Sequence, residues 1–286
     1  MNKDIVGRVS LLLCSIFFGL SYVFLNKVSL FIEAFSVNTI RFFIGSICLL
    51  PFIFKKDSIP AKEYVKAGFI SGSILVLGSY AQQLAQTYSS PGKIGFIVSL
   101  YIIIVPILNL FVFKKRINIL TISSIFITII GLIVLCDIRD FNIKFGDTLS
   151  ILCSISYAIQ ILYVDSKADY LDPIKFTFAE LLGTGLLSLI GSVFMESFTF
   201  SSIKLCFWPL MFSSVISVGL GYTLQVYGQK FTDNTIASMI MSLESVFSVI
   251  GTIFIQGIML SNKELIGCAI MFAGVILCIR ANKNVK

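Results

Sequence analysis

The stretch "GSYAQQLAQT", Gly78 to Thr87, sets three glutamines between apolar runs, and "GYTLQVYGQ", Gly221 to Gln229, repeats part of it. At an offset of 143 residues, Gly78 meets Gly221, Gln82 meets Gln225 and Gln86 meets Gln229, whereas Gln83 meets Val226. The same offset aligns Ser99-Leu100 with Ser242-Leu243, Phe111 with Phe254 and Gly131 with Gly274. Nearer the start, an offset of 139 lays Leu13-Cys14-Ser15-Ile16 on Leu152-Cys153-Ser154-Ile155. Biased composition readily matches Leu with Leu. It does not readily match two glutamines in register inside apolar segments, so the chain reads as a duplication.

The surroundings decide what is duplicated. Of 286 residues, 57% are hydrophobic and 13% charged, and mean hydropathy is +0.95. A soluble domain carries about 25% charged residues, so this set cannot cover a water-facing surface. Ten apolar segments of bilayer-spanning length are expected at 5–26, 34–54, 65–86, 92–113, 118–137, 146–165, 174–194, 206–228, 235–257 and 262–280. Their apolarity is continuous rather than alternating, which predicts helices and not barrel strands. The expected fold is therefore an all-α integral membrane protein of ten transmembrane helices. Residues 1–142 and 143–286 form its two five-helix repeats. Five is odd, so the second repeat enters from the opposite side. Inverted repeats of this kind are a plan of secondary transporters, with the solute site at the midplane.

Basic residues orient the chain. With the N-terminus inside, 15 Lys and Arg fall on inner segments and six on outer ones, while Arg41 lies within a span. This bias predicts a multi-pass protein of the cell membrane with both termini cytoplasmic. Lys3 and Arg8 before an apolar run resemble a signal peptide, but no small-residue cleavage site closes the run, so a retained first helix is expected.

Several function classes fall away. The net charge of +7 sits between apolar runs rather than in a polar patch with aromatics, so no nucleic-acid partner is expected. The seven cysteines show no metal spacing and read as small buried hydrophobes. There is no histidine, which removes His-based zinc sites and Ser-His triads, and no Walker loop for direct ATP drive. No cofactor and no enzymatic activity are expected. The expected partners are a small-molecule substrate, the lipid bilayer and protons.

Longer motifs carry a family resemblance. They are "FFGLSYVFLNK" from Phe17, Arg41-Phe42, "AQTYSSPGKIGFIVSLYIIIVPILNLFVFKKRI" from Ala85, "SLESVFSVIGTIFIQGIML" from Ser242 and "IGCAIMFAGVIL" from Ile266. In order and duplication they resemble the drug/metabolite transporter superfamily, with two EamA-like halves over nearly the whole chain. Phe18-Gly19 stands where that family commonly has Trp-Gly. Glu244 matches the glutamate of its Leu-Glu-Pro-Val stretch, with Ser245 for the proline. The family's frequent Gly-Glu after the fourth and ninth spans is replaced by Lys114-Lys115 and Gly257-Ile258. The resemblance implies ten helices, a central site open alternately to either side, and carriage of small metabolites, often amino acids or related compounds.

Polar groups in hydrocarbon are costly unless paired or wet, and a mid-span charge costs about 2.5–3.5 kcal/mol on insertion scales. Such residues are the site candidates. Gln82 and Gln225 are expected to line a substrate cavity, on faces shared with Gly78 and Gly221. Gln86 and Gln229, nearer the span ends, are expected to support them or to tie helices together. Gln83 is expected in packing or at the lipid edge. Glu244, near the centre of the ninth span, can take a proton or receive a substrate amine; alternatively it only fixes packing. Arg41 and Glu180 match under the offset of 139. They either pair across the cavity, as a gate or substrate anchor, or snorkel to the interface. Among the tyrosines, Tyr101 and Tyr222 are the expected cavity residues. Gly68 and Gly72 form a GxxxG for close helix packing, and Pro106 is expected to kink the fourth span without a counterpart at Val249.

These readings predict a secondary transporter of a small polar, amino-acid-like or zwitterionic metabolite. Arg41 suits its carboxylate and Glu244 its amine. The alternatives are an exporter of cationic or drug-like compounds and a membrane receptor or sensor without translocation.

Overall fold

The computed structural model describes residues 3–55, 57–89, 91–112, 114, 118–136, 143–197, 200–257, 259 and 261–282. Among them every regular element is helical. The helices are α1 (Lys3–Val28), α2 (Ala34–Leu49), α3 (Ala61–Ala85), α4 (Pro91–Ser99), α5 (Tyr101–Val112), α6 (Ile119–Leu135), α7 (Phe145–Ala168), α8 (Pro173–Met195), α9 (Phe200–Leu205), α10 (Phe207–Met211), α11 (Tyr222–Gln229), α12 (Asn234–Met241), α13 (Glu244–Gln256) and α14 (Asn262–Ala281). A 3₁₀ turn follows α2, and a π-helical stretch, Phe212–Gly221, joins α10 to α11.

Eight stretches are long and apolar enough to cross a bilayer: Lys3–Val28, Ala34–Phe52, Lys93–Val112, Phe145–Ala168, Pro173–Met195, Phe207–Gln229, Asn234–Ile255 and Asn262–Ala281. Ile119–Leu135 is apolar but shorter. The expected third span is α3, a helix of 25 residues. Its lysines, serines and glutamines make it too polar to stand with the eight on composition alone. Large apolar side chains face outward around the bundle, Phe194 and Phe254 being more than four-fifths exposed. A water-facing surface would not carry this girdle; lipid accepts it.

Helix starts are satisfied locally. The Asp172 side chain accepts from Ile174 N and Lys175 N, with Pro173 at the first helical position of α8. The Glu196 carboxylate, at the far end of α8, accepts Phe35 N and Ser36 N, both at 2.7 Å, and so caps α2. A negative group there also complements the helix dipole. Ser261 and Glu264 close a capping box on α14.

The packing scheme is regular. α1 lies along α13, and α7 along α4 and α5. α1 also meets the π-helical stretch and α11, as α7 meets α3. α3 packs on α8, and the π-helical stretch packs on α2. α2 packs on α8, α6 on α14, and α5 on α12. The largest apolar core gathers residues of α1, α3, α4, α5, α6, α7, α12, α13 and α14. The GxxxG of α3 works as close packing requires. A side chain at Gly68 would run into Ala179 of α8, and one at Gly72 would sit 2.8 Å from the Glu180 carbonyl.

One expectation about helix shape needs correcting, the lack of a counterpart in the second half. α5 runs unbroken through Pro106. The fourth span instead breaks at Leu100, between α4 and α5, where Leu100 N bonds Ile97 O and Ile103 N bonds Leu100 O. The ninth span breaks at Ser242-Leu243, where Leu243 N bonds Ile240 O and Ser245 N bonds Ser242 O. These tightened turns replace the usual four-residue spacing by a three-residue one. They fall on the Ser-Leu pairs that the offset of 143 aligns, so the interruption is present in both halves. The hydroxyls of Ser99 and Ser245 meet at 2.6 Å between the two breaks.

Candidate functional site

A cavity enclosing about 620 Å³ of space between atoms, its mouth included, opens where these helices converge. α1 supplies Phe18, Ser21, Tyr22 and Leu25; α2 supplies Arg41 and Phe42; α3 supplies Ser79 and Gln82. Tyr101 comes from the first residue of α5, and Glu244 from the first residue of α13 beside Met241. α7 gives Tyr157, Gln160 and Ile161, while the π-helical stretch and α11 give Ser217, Tyr222 and Gln225. The broken spans thus place the first residues of α5 and α13 on the cavity wall.

Many lining residues come in offset pairs. Phe18 and Tyr157, Ser21 and Gln160, and Tyr22 and Ile161 are 139 apart; Ser79 and Tyr222, Gln82 and Gln225, and Tyr101 and Glu244 are 143 apart. The repeated glycines explain part of this shape. A side chain at Gly78 would sit 2.7 Å from the Tyr157 ring, and one at Gly221 would sit 2.8 Å from the Phe18 ring. Only glycine lets each ring lie flat against the facing helix.

Six of the nine candidates line the cavity: Gln82, Gln225, Glu244, Tyr101, Tyr222 and Arg41. Tyr157 Oη donates to Gln82 Oε1 at 2.7 Å, and Tyr101 Oη donates to Glu244 Oε1 at 3.1 Å. Tyr222 packs on Phe18 with ring centroids 4.9 Å apart and the planes tilted by 55°. Arg41 reaches Asn38 Oδ1 only at 3.5 Å and sits 5.8 Å from the Phe42 ring. Its Nε has no hydrogen-bond partner, and neither has Tyr22 Oη.

Glu180, Gln86 and Gln229 do not line it. Glu180 is fully buried behind the wall, where Oε1 accepts from Ser71 Oγ at 2.5 Å and from Gln160 Nε2 at 2.9 Å. Arg41 and Glu180 therefore form no ion pair, and Arg41 turns into the cavity rather than snorkelling. The shared face of α8 and α3, closed up at Gly68 and Gly72, draws the carboxylate away from α2. Gln229 Nε2 donates across to Ile161 O of α7 at 2.8 Å, while Gln86 reaches only Gln83 of its own helix, at 3.5 Å. Gln83 is not at the lipid edge. It is 2% exposed and borders a separate crevice with Tyr80, Glu33 and Glu196.

Lys93, at the start of the fourth span, bonds Asp147 at 2.7 Å. Five cysteines are buried, but Cys48 and Cys136 are only partly so. Among the described residues no cluster of His, Cys, Asp or Glu could hold a metal ion.

The sequence reading overlooked Gln160, a carboxamide inside the sixth span. Its counterpart under the offset is Ser21, so no repeated glutamine drew attention to it. The cost of a buried amide alone would have found it.

Comparison with known proteins agrees with this architecture. The EamA-like transporter family matches the chain twice, over residues 5–136 and 144–280. This chain belongs to that family. Two proteins of Archaeoglobus fulgidus, both named as uncharacterized transporters, are similar along nearly the whole length. One is 24% identical over 277 residues, covering 96% of this chain and 86% of the relative. The other is 23% identical over 275 residues, covering 96% of each. A crystal structure with 15% identity shares the fold at a TM-score of 0.79, covering 99% of this chain and 98% of its own. The chain is a multi-pass membrane transporter of the EamA type.

Proposed function

We propose that this EamA-family protein is a secondary transporter that carries a small zwitterionic, amino-acid-like metabolite across the cell membrane by alternating access. Residues 1–142 and 143–286 are its two inverted five-helix repeats, and both termini lie in the cytoplasm. The packing scheme supports the repeat. Exchanging each helix for its offset partner turns α1 on α13 into α7 on α5, and α3 on α8 into the π-helical stretch on α2. The observation that carries the solute class is the joint presence of Arg41 and Glu244 in one cavity, with no ion pair between them. A guanidinium without a carboxylate suits the solute's carboxylate. A carboxylate held by one tyrosine suits its amine. Gln82 and Gln225 orient the polar backbone between them.

Glu244 is also the proposed proton site, since a carboxylate in hydrocarbon can exchange a proton for a cationic amine. Rocking of one repeat against the other, about the broken fourth and ninth spans, exposes the site to each side in turn. The aromatic lining of Phe18, Tyr22, Tyr101, Tyr157 and Tyr222 supports a second reading, export of cationic compounds. Arg41 in the same cavity favours the zwitterion.

Uptake of a pool of radiolabelled amino acids into proteoliposomes tests the reading. We expect saturable uptake that is lost in Arg41→Met and in Glu244→Gln. Uptake at the wild-type rate in both variants refutes the site. Residual uptake by Glu244→Gln with full pH dependence refutes the proton role alone.

A further inference from the structure

We infer that Gln225 is a one-sided anchor: its Oε1 accepts a hydrogen bond from the ammonium end of the solute, and Gln160, Gln229 and Glu180 are positioning residues that hold it in that sense. The inference rests on the transport reading above and says which end of the zwitterion lies against α11.

The argument is one of donor bookkeeping along a chain of side chains. The two ends of an amide differ only in what they can bond, so their orientation follows from their partners. One end of the chain is the Glu180 carboxylate, an acceptor, which takes Gln160 Nε2 at 2.9 Å. Gln160 Oε1 is thereby turned towards Gln225. The other end is the backbone carbonyl of Ile161, which can only accept and takes Gln229 Nε2 at 2.8 Å. Gln229 Oε1 is thereby also turned towards Gln225. Both oxygens need donors, and Gln225 Nε2 supplies one hydrogen to each, at 2.9 Å and 3.1 Å. An amide nitrogen has two hydrogens, so both are consumed. Only Oε1 is left for a solute, and it can only accept.

Reversing Gln225 would set its oxygen against two other oxygens in a buried place, where 2% of the residue is exposed. The chain is closed from both ends and has one consistent solution.

The partner glutamine is held differently. Gln82 Oε1 takes the Tyr157 hydroxyl at 2.7 Å, but a hydroxyl can donate or accept, so this contact does not fix the amide. Gln86, the counterpart of Gln229, bonds Gln83 and not Gln82. The repeated pair therefore consists of one locked acceptor and one amide free to turn. A solute with an ammonium group has a defined end to present to Gln225, in the cavity that the Glu244 carboxylate also lines.

The test uses full-length protein in lipid nanodiscs with isotope-labelled glutamine side-chain amides. Hydrogen exchange at each Nε2 is followed by NMR, with Gln225 assigned by its absence in Gln225→Leu. We expect both Gln225 hydrogens to exchange at least tenfold more slowly than those of Gln82, and Gln229→Leu to release one of them. In parallel, thermal unfolding is measured with n-propylammonium and with propionate. Propylammonium should raise the midpoint of the wild type, and at least half of that rise should vanish in both Gln225→Leu and Gln229→Leu. The effect of propionate should not change. Equal exchange at Gln225 and Gln82 overturns the anchor, as does a propylammonium effect that survives Gln225→Leu. Slow exchange and the propylammonium effect without any amino-acid uptake leave the anchor standing and overturn the transport reading instead.

Discussion

Replacing Gly78 by alanine tests the site's construction with a single methyl group. Its carbon would lie 2.7 Å and 2.8 Å from two ring atoms of Tyr157. Carbon atoms pack at about 3.5–4.0 Å, so the ring must retreat by roughly 1 Å. It cannot do so freely, because its hydroxyl bonds Gln82 at 2.7 Å and the adjacent Ser156 Oγ bonds Ile74 O at 2.6 Å. Overpacking costs about 1–3 kcal/mol, and one lost intramembrane hydrogen bond costs about 0.6 kcal/mol. Against this, alanine in place of glycine in an open helix gains about 1 kcal/mol. The net expectation is a loss of about 1–2 kcal/mol, opposite in sign to helix propensity alone. Gly221→Ala is the control. Its methyl would meet the Phe18 ring at 2.8 Å, but that ring has no polar contact to break. It should cost about half as much and leave Gln82 undisturbed. Equilibrium unfolding in mixed micelles gives the stabilities, and proteoliposome uptake reports the cavity. Gly78→Ala should impair uptake more than Gly221→Ala. A Gly78→Ala protein that is more stable than wild type with normal uptake refutes the reasoning.

Other substitutions separate packing from function. Glu180→Leu strands Ser71 Oγ and Gln160 Nε2 without an acceptor and should lose about 1–3 kcal/mol in the same unfolding assay, whereas Glu180→Gln keeps an acceptor and should lose under 1 kcal/mol. Arg41→Met removes a buried guanidinium whose Nε is unpartnered, so stability should hold or rise by about 1 kcal/mol while uptake disappears. Outside the bilayer, Asp57 receives Lys175 Nζ at 2.8 Å, Tyr64 Oη at 2.6 Å and Ile59 N, led by the lysine, and these hold its carboxyl down at about 2. Its folded value lies below the unfolded value of about 3.9, so its stabilisation is complete above that pH and is lost as pH falls through about 2. Comparison of wild type with Asp57→Asn should give a stability gap that is flat from neutral pH to about 5 and closes towards pH 2.

The duplication was legible because glutamine inside apolar runs is rare enough for a repeat to stand out. Gln82 and Gln225 marked one cavity face in each half for that reason. What the sequence left open was mostly rotation about helix axes. Glu180 sits at a cavity-like depth, but α8 is apolar or small on every side, so its periodicity does not say which way the carboxylate points. The close approach at Gly68 and Gly72 decides that, by bringing α3 and its Ser71 within reach. Gln83 is a similar case: the lack of a repeat partner left packing and the lipid edge as alternatives, and its burial agrees with packing. Pro106 drew attention from the true interruptions, although the aligned Ser-Leu pairs at 99–100 and 242–243 were already visible. A proline lacks one donor, and a helix within a protein-packed span tolerates that. A tightened turn has no single-residue signature, so its presence follows from packing around Ser99 and Ser245.

The two halves share a backbone plan but spend their polar groups unequally, and the inequality is where specificity arises. A strictly symmetric cavity would present identical groups from both sides and could not distinguish the ends of a solute. Here Tyr101 faces Glu244 across the offset, Gln160 stands opposite Ser21, and Gln225 is locked where Gln82 is not. Each difference adds a directed group to one side of the cavity. The amide groups behind Gln225 are bonded through Gln160, Glu180 Oε1 and Gln229, although Glu180 Oε2 has no partner, whereas on the cavity side Arg41 Nε and Tyr22 Oη are left without partners. Unpaired buried donors destabilise a resting protein by about 1–3 kcal/mol each. The solute carboxylate of the proposed reading, accepting from them, would recover that energy only while bound. On the transport reading proposed above, its binding would be strongest in the closed cavity and weak once either mouth admitted water, which a carrier that must also release its cargo requires.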